Sequence, residues 1–587
     1  MTSKPGAASS PHGPAKRYPP GSLPDKLRRR GLARTFAAFA GSGWFLYEIV
    51  HFVLVDHYHL PDVLKDITIV TLLGALLALL AWRWFRGERA KRARRWAFVV
   101  VPVLAASTLA LDVGFLTRWK AHGPDVYEEA ARGPAYEASI AVLPFVNIGG
   151  DEDQDYFCDG LTEEMITRLS QIRSLKVTAR TSAFAFKGDN RDIRDIGRRL
   201  GVEKVLEGSV RKDASRVRVS AQLIDVADGF HVWSETYDRE AGAILTLQDE
   251  IAGAVARELK LTLLEPSDPL AQTDSLEAYN EFLLGQHYYV SPTRENLEKA
   301  VGHYRRAVDI DPGYARAWAG LAAALAFQAN VGFTPTAAGY PEALAAVRRA
   351  LGLDDALAYG HVVLGWIHMT YDWDWRAAEA SYAKALRLEP ARGYFGAAQL
   401  ALVLGRFDRA LALARRAAEL DALNTSALMN LALTAFYAGR LDESVEVFRK
   451  IHDLDPERAN IHALLAQVYL AQGKVEEARA ALEEEKDPFF RLPVESMIER
   501  AAGRGRESGE ALEAFIGSFG KGNAYQIAQV FAYRGEADRA LEWLETAYKD
   551  HDGGLYLTKV DPYFGTLRGD PRFAAFLRKM GFPDDAP

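Results

Sequence analysis

A single cysteine, Cys158, among 587 residues excludes an intramolecular disulfide framework and every multi-cysteine zinc or iron–sulfur site. It leaves the compartment open, because a chain without disulfides can live on either side of a membrane. Charge of one sign is also lacking: 71 Lys and Arg against 78 Asp and Glu give a net −7, without the footprint of a dedicated nucleic-acid binder. Catalytic signatures are missing as well. No GxxxxGK[ST] phosphate loop, HExxH pair or GxSxG nucleophile turn occurs. The glycine-rich run from Gly503 to Gly509 has the wrong spacing and no preceding strand, so it reads as a charged loop. No catalytic residue, metal or cofactor is assigned, and the chain is read as a non-enzyme.

What is present is unevenly distributed. At 49% hydrophobic the average is ordinary, but apolar residues crowd into three runs, at about 36–55, 67–85 and 96–116. Each approaches the ~20 residues a helix needs to cross a bilayer. Lys16, Arg17, Lys26, Arg28, Arg29, Arg30 and Arg34 precede the first run. Arg83, Arg86, Arg89, Lys91, Arg92, Arg94 and Arg95 fill the second connection, whereas the first, 56–66, carries only Lys65. Cation-rich short loops stay inside, so the expectation is a multi-pass inner-membrane protein. It has a basic cytoplasmic tail (1–34), three transmembrane helices (35–117) contacting the lipid bilayer, and soluble domains in the periplasm. Glu48 and His51, with His57 and His59 beyond, are the only group of metal-ligand types. The other runs offer only Asp112 to match them, so an interhelical polar contact is the reading and a membrane metal or haem site is the rival.

After a polar connector (118–136) the pattern becomes that of a small α/β domain over 137–262. Ser139–Phe145 is a buried strand by its continuous apolar run, Asp159–Leu169 has helical spacing, and Leu175–Ala179 is strand-like. Ile193–Leu200 is helical, Val205–Val210 and Val217–Val226 form a hairpin turning near Asp213, His231–Tyr237 adds a strand, and Ile244–Leu261 is an amphipathic helix. Cys158, between Phe157 and Asp159, reads as a partly buried small residue. The blocks SIAVLPFVNIGGDEDQDYFCDGLTEEMITRLSQI, LKVTARTSAFAFKG, IRDIGRRLGVEKVLEGSVRK, VRVSAQLIDVADGFHVWSETYDR and LQDEIAGAVARELK follow in order. Together they resemble the TolB N-terminal-like or FlgO-like domain over about Ser139–Leu261. That resemblance implies a small module of bacterial envelope proteins, attached to varied partners such as winged-helix regulators and class III nucleotide cyclases, with no general catalytic residue. Those attachments are not seen in this sequence.

A linker (263–274) leads to 275–587, where the period changes to that of tetratricopeptide repeats, helix–turn–helix units of ~34 residues. Ala300, Tyr304, Ala307 and Pro312 are followed by Leu364, Gly365, Ala378, Tyr382, Ala385 and Pro390 in the same roles. Gly439 and Gly473 stand 34 apart, as do Ala432 and Ala466. Trp373–Trp375 and the turn around Asn330–Tyr340 are insertions. Small residues let the two helices approach, larger ones fill the gap to the next unit, and the stack forms a superhelix with a concave face. That face is expected to present Tyr359, Trp366, Phe395, Gln399, Met429, Phe436, Tyr437 and Gln467 to a protein or peptide partner. Lys and Asn of a carboxylate clamp are not in place. The expected fold class is thus multidomain: transmembrane α-helices, a small α/β domain, then an all-α tetratricopeptide-repeat superhelix. The expected function is a non-enzymatic membrane scaffold binding proteins and no nucleic acid. The alternatives are the metal- or haem-binding enzyme component and an accessory part of a cyclase or regulator-type signalling system.

Overall fold

The computed structural model describes residues 126–583, with breaks at 134–135, 150–153, 173, 214–215, 241–243, 262–272, 291 and 457, together with Thr71, Leu72 and Leu76. Among the described residues no helix is long and apolar enough to cross a membrane. This overturns the part of the expected fold class that begins with transmembrane helices, and with it the multi-pass inner-membrane location and the bilayer contact. Even the longest described helix, Thr336–Leu353, is amphipathic: Ala343, Ala346, Val347 and Ala350 are buried, while Glu342, Arg348 and Arg349 face water. The apolar runs at 36–55, 67–85 and 96–116, the basic tail and the group Glu48, His51, His57 and His59 lie outside the described residues, apart from Thr71, Leu72 and Leu76.

Where a polar connector is expected, helix α1 (Val126–Arg132) forms instead, with Glu128 and Glu129 in its first turn and Arg132 in its last, as the helix dipole favours. The sheet follows. β1 (Ala138–Val142) lies between β3 (Leu175–Val177) and β4 (Lys204–Lys212), parallel to both. Ile140, Ala141 and Val142 are fully buried, which explains the unbroken apolar run of a central parallel strand. β2 (Val146–Asn147) pairs with the far end of β4, and β4 continues antiparallel into β5 (Arg216–Asp225) and β6 (His231–Glu240). Asp213 closes the hairpin by accepting from the Arg216 backbone N–H at 2.8 Å. Helices α2 (Asp155–Ser170) and α5 (Ile244–Glu258) join the larger core. A short α3 (Arg180–Phe184) and α4 (Ile193–Leu200) follow β3, and α4 packs Ile196 and Leu200 on Ala141 and Val205.

The rest is helical. α6 (Leu276–Tyr289) pairs with α7 (Arg294–Ile310), α8 (Ala315–Asn330) with α9 (Thr336–Leu353), and α10 (Ala358–Ile367) with α11 (Trp375–Leu388). α12 (Pro390–Val403) pairs with α13 (Phe407–Leu420), α14 (Thr425–Tyr437) with α15 (Leu441–Leu454), and α16 (Ile461–Ala471) with α17 (Val475–Glu483). α18 (Pro488–Ala501) with α19 (Gly505–Phe519) and α20 (Ala524–Tyr533) with α21 (Ala537–Asp550) precede two 3-10 turns and α22 (Pro571–Lys579). The glycines have a steric reason. A Cβ on Gly396 would stand 2.2 Å from the Tyr382 ring and one on Gly365 3.0 Å from it, so α10, α11 and α12 close around that tyrosine only because both positions are bare. Gly405, Gly439 and Gly473 turn the chain between paired helices at φ of +78°, +72° and +75°, a conformation that side chains disfavour.

Candidate functional site: the concave face of the repeats

Successive first helices touch one another, α8 with α10, α10 with α12, α12 with α14 and α18 with α20. They therefore crowd the inner side and make it concave. The eight residues expected there share these helices but not one environment. Phe395 is 40% exposed, and Trp366, Gln399, Met429 and Gln467 are half-buried. The Trp366 ring is tilted against Phe327, ring centres 6.2 Å apart, and Asn430 holds the Phe395 carbonyl at 3.3 Å. Phe436 is placed differently. It is only 5% exposed, inside the core, with its ring 5.4 Å from Tyr437 and 6.2 Å from Tyr563.

Two parts of the same chain cover this face, which repeat counting alone does not reveal. The first is the α/β module, through α2. Glu164, 1% exposed, receives both arms of the Arg316 guanidinium at the start of α8, Nη1 donating to Oε2 at 2.7 Å. Burial raises the cost of that guanidinium's charge, but the carboxylate more than compensates, and Arg316 is held well above its ordinary pKa. Glu163 accepts from Gln286 of α6 at 3.2 Å, and Thr167 accepts from Arg392 of α12 at 2.9 Å. Arg392 also sits over Tyr359, whose phenol shares a hydrogen bond with Tyr289 and is pushed up to about 12 by burial. Gly160 leaves room for Leu283, since a Cβ there would come within 2.5 Å of it. Further along, Ser182 of α3 donates from N and Oγ to Asp421 at 2.9 and 2.7 Å, and the Ala179 N–H reaches the Leu420 carbonyl at 2.9 Å. α1 is not part of this cover: it lies against the second helices α11 and α13, where the Tyr127 hydroxyl donates to the Glu379 carbonyl at 2.9 Å.

The second cover is the C-terminal end. Its 3-10 turn (Pro562–Leu567) brings Tyr563 to Phe436, and Asp561, 1% exposed, accepts from Tyr525 at 2.8 Å and from Gln529 at 2.5 Å. Beyond it, Phe582 stacks on Trp375 with ring centres 4.4 Å apart, and the Trp375 indole donates to the Met580 carbonyl at 3.1 Å.

Chemistry for catalysis is sparse. Among the described residues no group of three or more His, Cys, Asp or Glu could hold a metal ion. The Cys158 thiol is buried, and burial together with Asp155 and Asp159 pushes its pKa up to about 12, which keeps it protonated and inert.

The comparisons agree with the helical half. Residues 435–484 match the tetratricopeptide-repeat family, so the chain carries this repeat. Residues 136–254, the stretch expected to be TolB- or FlgO-like, match the family described as HilA/YgeH-like transcriptional regulator, second domain. A curated relative, "Putative adenylate cyclase 3" of Rhizobium meliloti (strain 1021), is 37% identical over 265 residues. The match covers 44% of this chain and 44% of that relative, so the chain spans less than half of the relative's length. Among solved structures, a tetratricopeptide repeat protein from Parabacteroides merdae ATCC 43184 is 17% identical with a TM-score of 0.33, covering 44% of this chain and 99% of its own. TolB from Acinetobacter baumannii is 20% identical with a TM-score of 0.17, covering 22% of this chain and 29% of its own, a likeness too distant to bear on the module.

Proposed function

We propose that this chain is a non-enzymatic interaction scaffold, divided into an α/β module (137–262) and a repeat region (275–587), whose concave face takes a protein or peptide partner. The observation that carries the reading is the row Trp366, Phe395, Gln399, Met429 and Gln467, apolar and amide side chains left partly open on successive first helices while their neighbours are sealed. Aromatic anchors flanked by amides suit an extended or helical peptide, whose backbone the amides can bond and whose apolar side chains the rings receive. Phe395→Ala and Trp366→Ala should each weaken capture of a partner by about 1–3 kcal/mol while leaving the melting temperature nearly unchanged. A partner recovered by crosslinking in cells and bound equally well by both variants would sink the assignment of this face.

A second reading has one observation in its favour, the 37% identity to a relative named a putative adenylate cyclase. In that reading the chain is an accessory part of a nucleotide-cyclase signalling system. Cyclic nucleotide formed from ATP by the purified chain with Mg²⁺ or Mn²⁺ would overturn the non-enzymatic reading. Cyclase activity appearing only when a second protein is added would favour the accessory one.

A further inference from the structure

Repeats of this kind are held by their neighbours alone, so a contact between the third helix pair and the chain's last helices is extra to the solenoid. The third pair carries an insertion for it. After α10 the chain makes a π-helical turn (His368–Asp372) and reaches Trp373 at φ +50°. Opposite stands His551, the residue ending α21, at φ +52°. Neither is glycine, so each holds a conformation that its Cβ disfavours, and the two rings stack on each other at 4.6 Å and 13°. Tyr371 and Tyr548 close the sides of this slot, with ring centres 5.3 Å from His551 and 5.0 Å from Trp373 respectively. Next to it lie the Trp375–Phe582 stack and the Trp375 bond to Met580. On the other flank a Cβ at Gly553 would come within 3.7 Å of Asn330, at the end of α8.

We propose that the segment His551–Phe582 is a latch: closed on the Tyr371–Trp375 insertion it seals Phe436 and Tyr437 behind Tyr563, and released it lets the concave face open along α14. The segment packs on α20 through Phe564 against Tyr525 and on α21 through Phe576 against Tyr548 and moves with them, so what parts is the aromatic contact with the third pair and no helix pair has to come apart. Parting one contact while the helix pairs on either side stay intact is a local opening, which costs less than global unfolding. In treating the concave face as the partner surface this inference rests on the reading above. The latch itself is measured without any partner, so its failure and the failure of that reading give different results.

Hydroxyl-radical footprinting of the full chain reads side-chain exposure directly. His551→Asp keeps a residue tolerant of the left-handed conformation but sets a carboxylate against the Trp373 ring and the Tyr371 carbonyl. Labelling of Trp375, Phe436, Tyr437 and Tyr563 should rise about three-fold or more, while Phe448 and Phe515, buried elsewhere in the repeats, stay at their native level. Unchanged labelling at the first four, or an equal rise at Phe448 and Phe515, would overturn the latch. Should that variant fail to fold, the pair Asn330→Cys and Gly553→Cys, oxidised to a crosslink, gives the converse test. Phe436 and Tyr437 should then label less than in the native chain, and equal labelling overturns the proposal.

Discussion

The ion pair between Glu164 and Arg316 offers the sharpest test of how the α/β module is held. The two side chains are unequally dry: Glu164 retains 2% of its side-chain exposure and Arg316 16%. Leaving the carboxylate alone should therefore cost more than leaving the guanidinium alone. Removing one partner of a buried pair costs about 3–5 kcal/mol, because the survivor stays dehydrated without compensation. Arg316→Met should fall at the upper end of that range and Glu164→Leu at the lower. The double change Glu164→Leu with Arg316→Met removes both charges and should come back to within about 1–2 kcal/mol of the native chain, or exceed it. Urea unfolding followed by tryptophan fluorescence measures all four proteins, and the double-mutant cycle isolates the coupling. If each single change costs under ~1 kcal/mol, or the double change costs their sum, the pair does not seat the module and apolar packing around Phe282 and Leu283 does.

Gly396→Ala drives a methyl into the Tyr382 ring, itself 1% exposed, and should cost about 1–3 kcal/mol in urea unfolding; Gly439→Ala, with open space but φ +72°, should cost only about 1 kcal/mol. Cys158 should resist a thiol reagent at pH 8 in the native chain and react fully in denaturant, and rapid native labelling would contradict its burial. His551 is held below its usual ~6.5 by burial among Tyr371, Trp373 and Tyr548, a bond from its ring to the Tyr371 carbonyl only partly opposing this. The closed contact therefore binds fewer protons than the open one: its stability is fully present above about pH 6.5 and falls as pH drops below it. Asp552 beside it is shifted upward by burial, and Asp550 adds its charge to that carboxyl, so a comparison with His551→Asn separates the histidine from both. Footprinting of Phe436 that is flat between pH 7 and 5.5 in the native chain would refute this.

Much of the repeat region is legible from residue size and spacing, because a bare position facing a tyrosine leaves a mark on the sequence: Gly365 and Gly396 around Tyr382, Gly285 and Gly320 around Tyr304. The sheet is legible for a similar reason, its central strand reading as an unbroken apolar run and β5 as the alternation Val217, Val219, Ala221, Leu223. Short helices escape. α3 has five residues, too few for a period to show, and α1 owes its place to Tyr127 and to neighbours some 250 positions later. Repeat period assigns a residue to the inner face without saying what else in the chain lies on that face. Phe436 and Tyr359 sit on first helices as counted, yet one is sealed by Tyr563 and the other bonded to Tyr289 beneath Arg392. The membrane expectation rests on hydropathy at 36–116, and the helices that are described bury their apolar faces on one another.

The module and the repeats share one apolar core around Phe282 and Leu283, and the polar bonds set within that contact bear on how the superhelix can move. An apolar contact tolerates sliding, but Glu164 against Arg316, Thr167 against Arg392 and Ser182 against Asp421 do not, since each shift strands a buried charge or hydroxyl. These partners sit on α8, on α12 and at the turn into α14, with Gln286 of α6 beside them. One rigid sheet domain is thus bonded across the first several helix pairs. A solenoid changes curvature by small rotations between neighbouring pairs, and a body fastened across several pairs forbids those rotations. Bending is left to the later pairs, α16 to α21, which meet the earlier ones again through the C-terminal end, at Phe436, in the slot around Trp373, at Trp375 and beside Asn330. The module therefore fixes half of the concave face and concentrates its mobility in the half that the C-terminal end closes, so a partner that changes the curvature must act through that end.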